Sequence, residues 1–144
     1  LPGFLAGLRP RPEVTARGEE LMERMGIAEL AASGVTEVSG GQLQRAGICR
    51  ALINDPGIVF ADEPTGALNS ATALQILDLL GEIHASGTTL VMVTHDSQVA
   101  ARADRVLVLV DGQITEDLLL GRYEEADSPS RLTTVTEALQ RHSV

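Results

Sequence analysis

The sequence predicts an α/β fold built on a parallel sheet, and three stretches carry that prediction. Ile58-Val59-Phe60-Ala61 is an apolar run of strand length, opened by Pro56 and Gly57 and closed by Pro64, and it runs into the adjacent carboxylates Asp62 and Glu63. After it, Ala73, Ile76, Leu77, Leu80 and Ile83 recur at helical spacing and lead to a second strand-like run from Thr88 to Val93, which makes a βαβ unit. Before it, Ser39 is a good N-cap for a helix from Gln42 to Leu52, with Gly40 and Gly41 letting backbone come close to a ligand. Open parallel sheets bind ligands at the carboxyl ends of their strands, where Asp62 and Glu63 fall, and the unpaired N–H groups of a helix start attract anions.

In chain order, Leu1 to Pro12 is turn-rich and ends in Pro10-Arg11-Pro12, which should keep it from continuing as helix. Glu13 to Met25 reads as a helix with Leu21, Met22 and Met25 on one face and Gly26 as its stop; the methionines read as core. Ile27 to Glu37 is a short helix or a loop. In the helix after Gln42, Ala46, Cys49 and Ile53 share a stripe, so Cys49 reads as a small buried apolar residue, with no resolving partner nearby in sequence for a redox role. Arg45 and Arg50 lie off that stripe, where charge is solvated by default or meets a phosphate or carboxylate.

The next helix starts near Ser70, a plausible cap, and ends at Gly87; His84 sits at the edge of its apolar stripe as a structural histidine. His95 follows the second strand and so stands level with Asp62 and Glu63, unlike His84 and His142. A short helix from Gln98 to Ala103 precedes a third strand, Arg105 to Val110, and Asp111-Gly112 is a hairpin turn into Gln113 and Ile114. From Glu116 the pattern degrades to a loop-like stretch and a weak terminal helix marked by Leu132, Val135 and Leu139, an appendage to the sheet.

Composition narrows the function classes. At 144 residues and 44% apolar content the chain suits one domain with a genuine core, built from aliphatic side chains because aromatics are scarce. A net charge of −9 opposes a nucleic-acid footprint, which needs a basic face. The lone Cys49 cannot form an internal disulfide, and no apolar run approaches bilayer-spanning length. All 11 basic side chains are arginine, so a phosphate-cradling loop of the form G-x-x-x-x-G-K-[ST] cannot occur anywhere in the chain.

Four motifs in order then carry a family resemblance. Val38-Ser39-Gly40-Gly41-Gln42 resembles the signature of ATP-binding cassette (ABC) ATPases, Ile58 to Glu63 their Walker B strand, Pro64 to Asn69 their D-loop, and Val93-Thr94-His95-Asp96 their switch-histidine loop. Taken singly, Asp62-Glu63 reads equally as a solvated strand end, Ser39-Gly40-Gly41 as an ordinary turn, and His95 as a structural histidine; their shared order is what tells. The wording around Pro64 to Asn69 and at His95 is most similar to the lipoprotein-release, macrolide-export and cell-division branch of the family.

The resemblance implies an incomplete P-loop NTPase-like α/β domain. Residues 1–52 would be part of the helical subdomain, 53–115 part of the RecA-like core with its parallel sheet and flanking helices, and 116–144 a C-terminal appendage, the whole beginning just after the family's glutamine loop. It further implies ATP and Mg²⁺ as cofactors, with Asp62 holding the metal through water, Glu63 orienting or deprotonating the attacking water, and His95 steadying the γ-phosphate. Ser39, Gly40, Gly41 and Gln42, with Asn69, would meet a nucleotide held by a second nucleotide-binding domain in a head-to-tail dimer. A transmembrane permease subunit is the implied partner, no nucleic acid is expected, and the implied location is cytoplasmic, on the inner face of the cell membrane. Val38 replaces the usual leucine, a conservative change, and Asn69 replaces the usual aspartate, which would neutralise a contact across the dimer and slow hydrolysis. Alone, the 144 residues are expected to be inactive. The alternatives are a soluble ABC ATPase of DNA repair or translation, which long coiled coils or basic segments would mark, and a non-catalytic regulatory module.

Overall fold

The computed structural model describes residues 11–32, 38–66 and 68–142, which fall into two compact units divided between Val93 and Thr94. The opening segment, residues 33–37 and Ala67, which falls in the stretch expected to form a D-loop, lie outside the described residues.

The first unit begins with α1, Arg11–Arg24. Proline is tolerated in a first helical turn because the N–H it lacks has no intrahelical acceptor there, so Arg11 and Pro12 open this helix rather than stopping one. Gly26, at φ 63°, ends it, because only glycine takes that left-handed conformation without strain. A 3₁₀ turn, Ala28–Ala32, follows, and α2 spans Gly40–Leu52. Strand β1, Ile58–Asp62, pairs in parallel with β2, Thr89–Val93, across the helix α3, Ser70–Ala85, as the βαβ reading requires. The cap of α3 is Asn69, one residue before the predicted Ser70: its side-chain oxygen accepts from the Thr72 amide at 3.0 Å.

Burial follows the pleat of the strands, whose successive side chains point to opposite faces. Val59 is buried, and Leu90 and Met92 pack with it against Leu21, Met25, Ile27, Leu52, Ile53, Ile76, Leu80 and Ile83, from the helices and the turns that end them. On the opposite face Ile58, Phe60, Val91 and Val93 are exposed, Phe60 by 78%. Arg45 is neither solvated nor free for a phosphate: Nη1 donates to the Met25 carbonyl at 3.1 Å and Nη2 to the Gln75 side chain, so it ties α2 to the end of α1 and to α3.

In the second unit α4 is Ser97–Ala100, shorter than the predicted Gln98–Ala103, and β3, Arg105–Val110, is where the sequence puts it. Strand β4, Gln113–Leu119, pairs with β3 antiparallel rather than extending the parallel sheet. Asp111 and Gly112, at φ 50° and 76°, form the two-residue turn. The boundary read at residue 116 falls inside β4. A bulge after Val108 leaves Thr115 without a strand partner, its hydroxyl on the Val108 carbonyl at 3.2 Å, and this breaks the alternation that the sequence reading followed. A 3₁₀ turn, Glu125–Asp127, then leads into α5, Ser128–Arg141, which packs on α4 and β3.

Candidate functional site

Asp62 is the last residue of β1, in register with Val93 at the end of β2, and the Glu63 amide donates to the Val93 carbonyl at 2.9 Å. The carboxylate pair therefore stands where two parallel strands end together. Glu63 sits at φ 44°, left-handed backbone that costs a non-glycine residue about 1–2 kcal/mol. That conformation is fixed from both sides, by the bond to Val93 and by the Gly66 amide donating to the Glu63 carbonyl at 3.2 Å, and such strain concentrates at functional sites. Asp62 is exposed and Glu63 half-buried.

Ser39 caps α2 as predicted, in a reciprocal arrangement: its hydroxyl accepts from the Gln42 amide at 3.3 Å, and the Gln42 side-chain oxygen accepts from the Ser39 amide at 2.8 Å. The Gln42 side chain is thus engaged in its own helix start. The two glycines between them differ in surroundings. A Cβ on Gly40 would meet open space, whereas one on Gly41 would lie 2.9 Å from Thr72 Cγ2 and 3.8 Å from Leu68 Cδ2. Gly41 is small because the start of α3 lies against it, and Asn69 fixes that start by capping at Thr72. The turn at Ser39 and the segment that ends at Asn69 are therefore packed together in one unit. The Gly40 and Gly41 amides, at the first two helical positions, have no intrahelical acceptor and carry the positive end of the helix.

His95, the first residue but one of the second unit, is exposed and bracketed by polar turns. The Asp96 amide donates to Thr94 Oγ1 at 3.1 Å, and Asp96 Oδ1 accepts from the Gln98 amide at 2.7 Å as the cap of α4. His84, by contrast, is turned to its own helix end, Nδ1 lying 3.2 Å from the Thr88 carbonyl. Burial pushes the Cys49 thiol up to about 11, which disfavours a thiolate nucleophile at neutral pH.

Among the described residues no three His, Cys, Asp or Glu side chains gather to hold a metal ion. Asp62 and Glu63 alone offer a hard cation one or two oxygen ligands. That donor set suits Mg²⁺, which keeps its waters and takes phosphate oxygens as its other ligands. Arg45 was missed as a tie between helices, and Arg131, a buried arginine of α5, gave no sequence signal at all.

Residues 6–66 match the family model described as ABC transporter. Among curated proteins the chain is 45% identical over 117 residues to the macrolide export ATP-binding/permease protein MacB of Rhodospirillum rubrum, covering 81% of this chain and 18% of that protein. It is 41% identical over 138 residues to MacB 1 of Aeromonas hydrophila, covering 96% of this chain and 20% of that one. Among solved structures it resembles a dimeric ATP-binding cassette in a post-hydrolysis state bound to ADP and phosphate, with TM-score 0.69 and 36% identity over 80% of this chain and 50% of that one. A second cassette of an ABC transporter, in its ADP conformation, gives TM-score 0.72 at 26% identity over 90% of this chain and 50% of that one. The chain thus spans about a fifth of the curated relatives it matches and half of the solved cassettes.

Proposed function

The chain belongs by sequence and fold to the ABC transporter ATP-binding family, of macrolide-export type, and from that premise we propose that it supplies the water-activating and cross-subunit parts of an ATP-driven transport motor. In this reading residues 1–52 belong to the helical subdomain and 53–115 to the nucleotide-binding core. Phosphoryl transfer to water asks a protein for charge neutralisation and a positioned nucleophile. Asp62 would hold Mg²⁺ through water, and the metal when bound would supply neutralisation of phosphate charge. Glu63 orients or deprotonates the attacking water, from the left-handed backbone position between β1 and Pro64. His95 steadies the γ-phosphate from the loop that follows β2. The Ser39 hydroxyl and the Gly40 and Gly41 amides meet the γ-phosphate of a nucleotide carried by a second ATP-binding domain, with Gln42 and Asn69 lining that contact. A permease partner and a place on the inner face of the cell membrane complete the reading; among the described residues no helix is long and apolar enough to cross a membrane.

The observation that carries this reading is Glu63: an acidic residue held at φ 44° beside a magnesium-suited aspartate, where two parallel strands end. The 144 residues contain no lysine to cradle the β- and γ-phosphates, so by themselves they hydrolyse no ATP. In the complete ATP-binding domain Glu63→Gln lowers kcat by about 100-fold or more while ATP still binds, since a positioned base contributes roughly 10²–10⁴-fold. Undiminished turnover in that variant, or magnesium-dependent turnover by the 144 residues alone that Glu63→Gln abolishes, would sink the reading. Asn69 favours a second one, a non-catalytic regulatory module, because it removes a carboxylate from the D-loop. Its cap at Thr72 shows that the local fold does not need that charge.

A further inference from the structure

Arg131 is 5% exposed, an unusual place for a group whose charge is always present. Burial of a guanidinium is tolerable only when its N–H groups find acceptors, and here they find main-chain carbonyls. Nε donates to Ala101 O at 2.8 Å, Nη1 to Leu120 O at 2.9 Å and Arg122 O at 3.4 Å, and Nη2 to Ala103 O at 2.8 Å and Gly121 O at 3.1 Å. The Tyr123 ring lies against the same guanidinium, with Cζ 5.5 Å from its centroid. One side chain on α5 thus gathers two strips of backbone: the end of β4, and the turn that closes α4.

That turn matters for what precedes it. At four residues α4 is far too short to hold itself, since an isolated helix needs some 12–15 residues even to be marginal. Its carboxyl end winds down through Ala101 N on Ser97 O at 2.9 Å, Arg102 N on Val99 O at 3.1 Å and Ala103 N on Ala100 O at 3.0 Å, and Arg131 grips the outer carbonyls of that winding. Its amino end is the Thr94–Asp96–Gln98 bracket around His95. Val99 and Ala101 are buried in the same unit, so α4 has no freedom to turn about its axis once its far end is fixed.

We propose that Arg131 is a positioning residue for His95: by holding the Ala101 and Ala103 carbonyls it anchors α4, and through α4 it sets the direction in which the histidine leaves the chain. The inference rests on the reading of His95 as a γ-phosphate contact, and its test separates the two.

Hydrogen exchange on the 144-residue chain reads the anchor. In Arg131→Met the amides of Ala100 to Ala103 exchange about tenfold faster, the loss of roughly one hydrogen bond's worth of local protection, while the β3–β4 pairing amides change by less than about twofold. Arg131→Lys restores part of the protection, because an ammonium keeps the charge and loses the fork that reaches both strips. Equal acceleration throughout the second unit, or none at Ala100 to Ala103, overturns the proposal. Should Arg131→Met fail to fold, Arg131→Gln leaves a shorter polar side chain at the site and is expected to raise exchange at the same four amides, and its silence there overturns the proposal equally. In the complete ATP-binding domain Arg131→Lys lowers kcat several-fold with KM for ATP unchanged, as a displaced rather than a missing contact should. If His95→Gln lowers kcat and Arg131→Lys does not, the positioning claim is wrong. If neither changes kcat while exchange at Ala100 to Ala103 still rises, the anchor stands and the role given to His95 falls.

Discussion

The two units are held together by different physics. Up to Val93 the joints are mostly aliphatic, Leu21, Ile27 and Ile76 being 0% exposed, and with Arg45 as a polar tie beside them they gather α1, α2 and α3 on one face of the β1–β2 pair. From Thr94 onward the joints are polar and singular. Arg131 collects carbonyls from two loops, Arg105 grips Asp117 with paired bonds of 2.9 and 2.7 Å across the hairpin, and Glu116 receives both Arg141 and His142 from the end of α5. Burial of hydrocarbon is non-directional and spread over many contacts, whereas each of these joints fails with one residue. The site residues follow the same division. Asp62 and Glu63 stand on a strand fixed by a packed core, and His95 stands on a loop fixed by individual hydrogen bonds.

The largest effect that sharpens this contrast belongs to the first unit. Ile76→Ala removes a fully buried side chain from the aliphatic core that α3 shares with the β1–β2 pair and should cost about 2–5 kcal/mol of unfolding free energy, read by urea denaturation. A loss below roughly 1 kcal/mol would mean that the core can collapse around the gap, and that the first unit depends on something other than packing.

This division is also why the sequence was legible where it was. Ile76, Leu77, Leu80 and Ile83 recur at helical spacing because a helix must lay one face on the sheet, and all four are buried as that spacing requires. Capping at Ser39 and the turn at Asp111-Gly112 were readable because each demands a particular residue type at a particular place. Asn69 displaced Ser70 as a cap because both residues are good caps, and only the backbone decides between neighbours. Between Glu116 and Leu119 the reading failed for a local reason: the bulge at Thr115 shifts the strand by one residue, so alternation before and after it disagree, whereas the terminal helix marked by Leu132, Val135 and Leu139 is α5. Arg131 could not be foreseen, because its partners are carbonyls, which every residue has. The carboxylate pair was legible as chemistry, but the left-handed backbone of Glu63 was not, since nothing in the residue type announces it.

A smaller effect tests shape-fitting within the first unit by setting two adjacent glycines against each other. Gly41→Ala places a methyl 2.9 Å from Thr72 Cγ2 and should destabilise by about 1–3 kcal/mol, most of it recovered when Thr72→Ser removes the methyl it meets. Gly40→Ala meets nothing within 4 Å and should be neutral to folding or stabilise by about 0.4–1 kcal/mol. Thermal melts of the three variants decide it. Equal losses at both glycines would show that the start of α2 is not packed against α3 in the way the distances require. In the complete domain the order reverses if the signature turn meets a phosphate, because the residue facing open space is then the one a ligand must approach.

The smallest effect is electrostatic and belongs to the second unit. The hydrogen bond from Arg141 holds the Glu116 carboxyl below its usual range, and Arg105 does the same for Asp117. A carboxyl lowered in this way contributes stability that is present above its unfolded value and is lost as pH falls through the folded one. Unfolded carboxyls titrate near pH 4, so the loss sets in below that point and continues past it. The last turn of α5 should therefore loosen from β4 in acid before the aliphatic core of the first unit responds, with faster amide exchange at Leu139 to Arg141 than at Ile76 to Leu80. Glu116→Gln keeps the shape of the side chain and removes its titration, so in that variant the protection of α5 amides relative to their intrinsic exchange rate should lose most of its dependence on pH in this range. If the wild-type and Glu116→Gln profiles coincide, the clasp contributes nothing to holding α5. The second unit would then depend on Arg131 and on the Val135 and Ala138 packing of the helix, which no acid reaches.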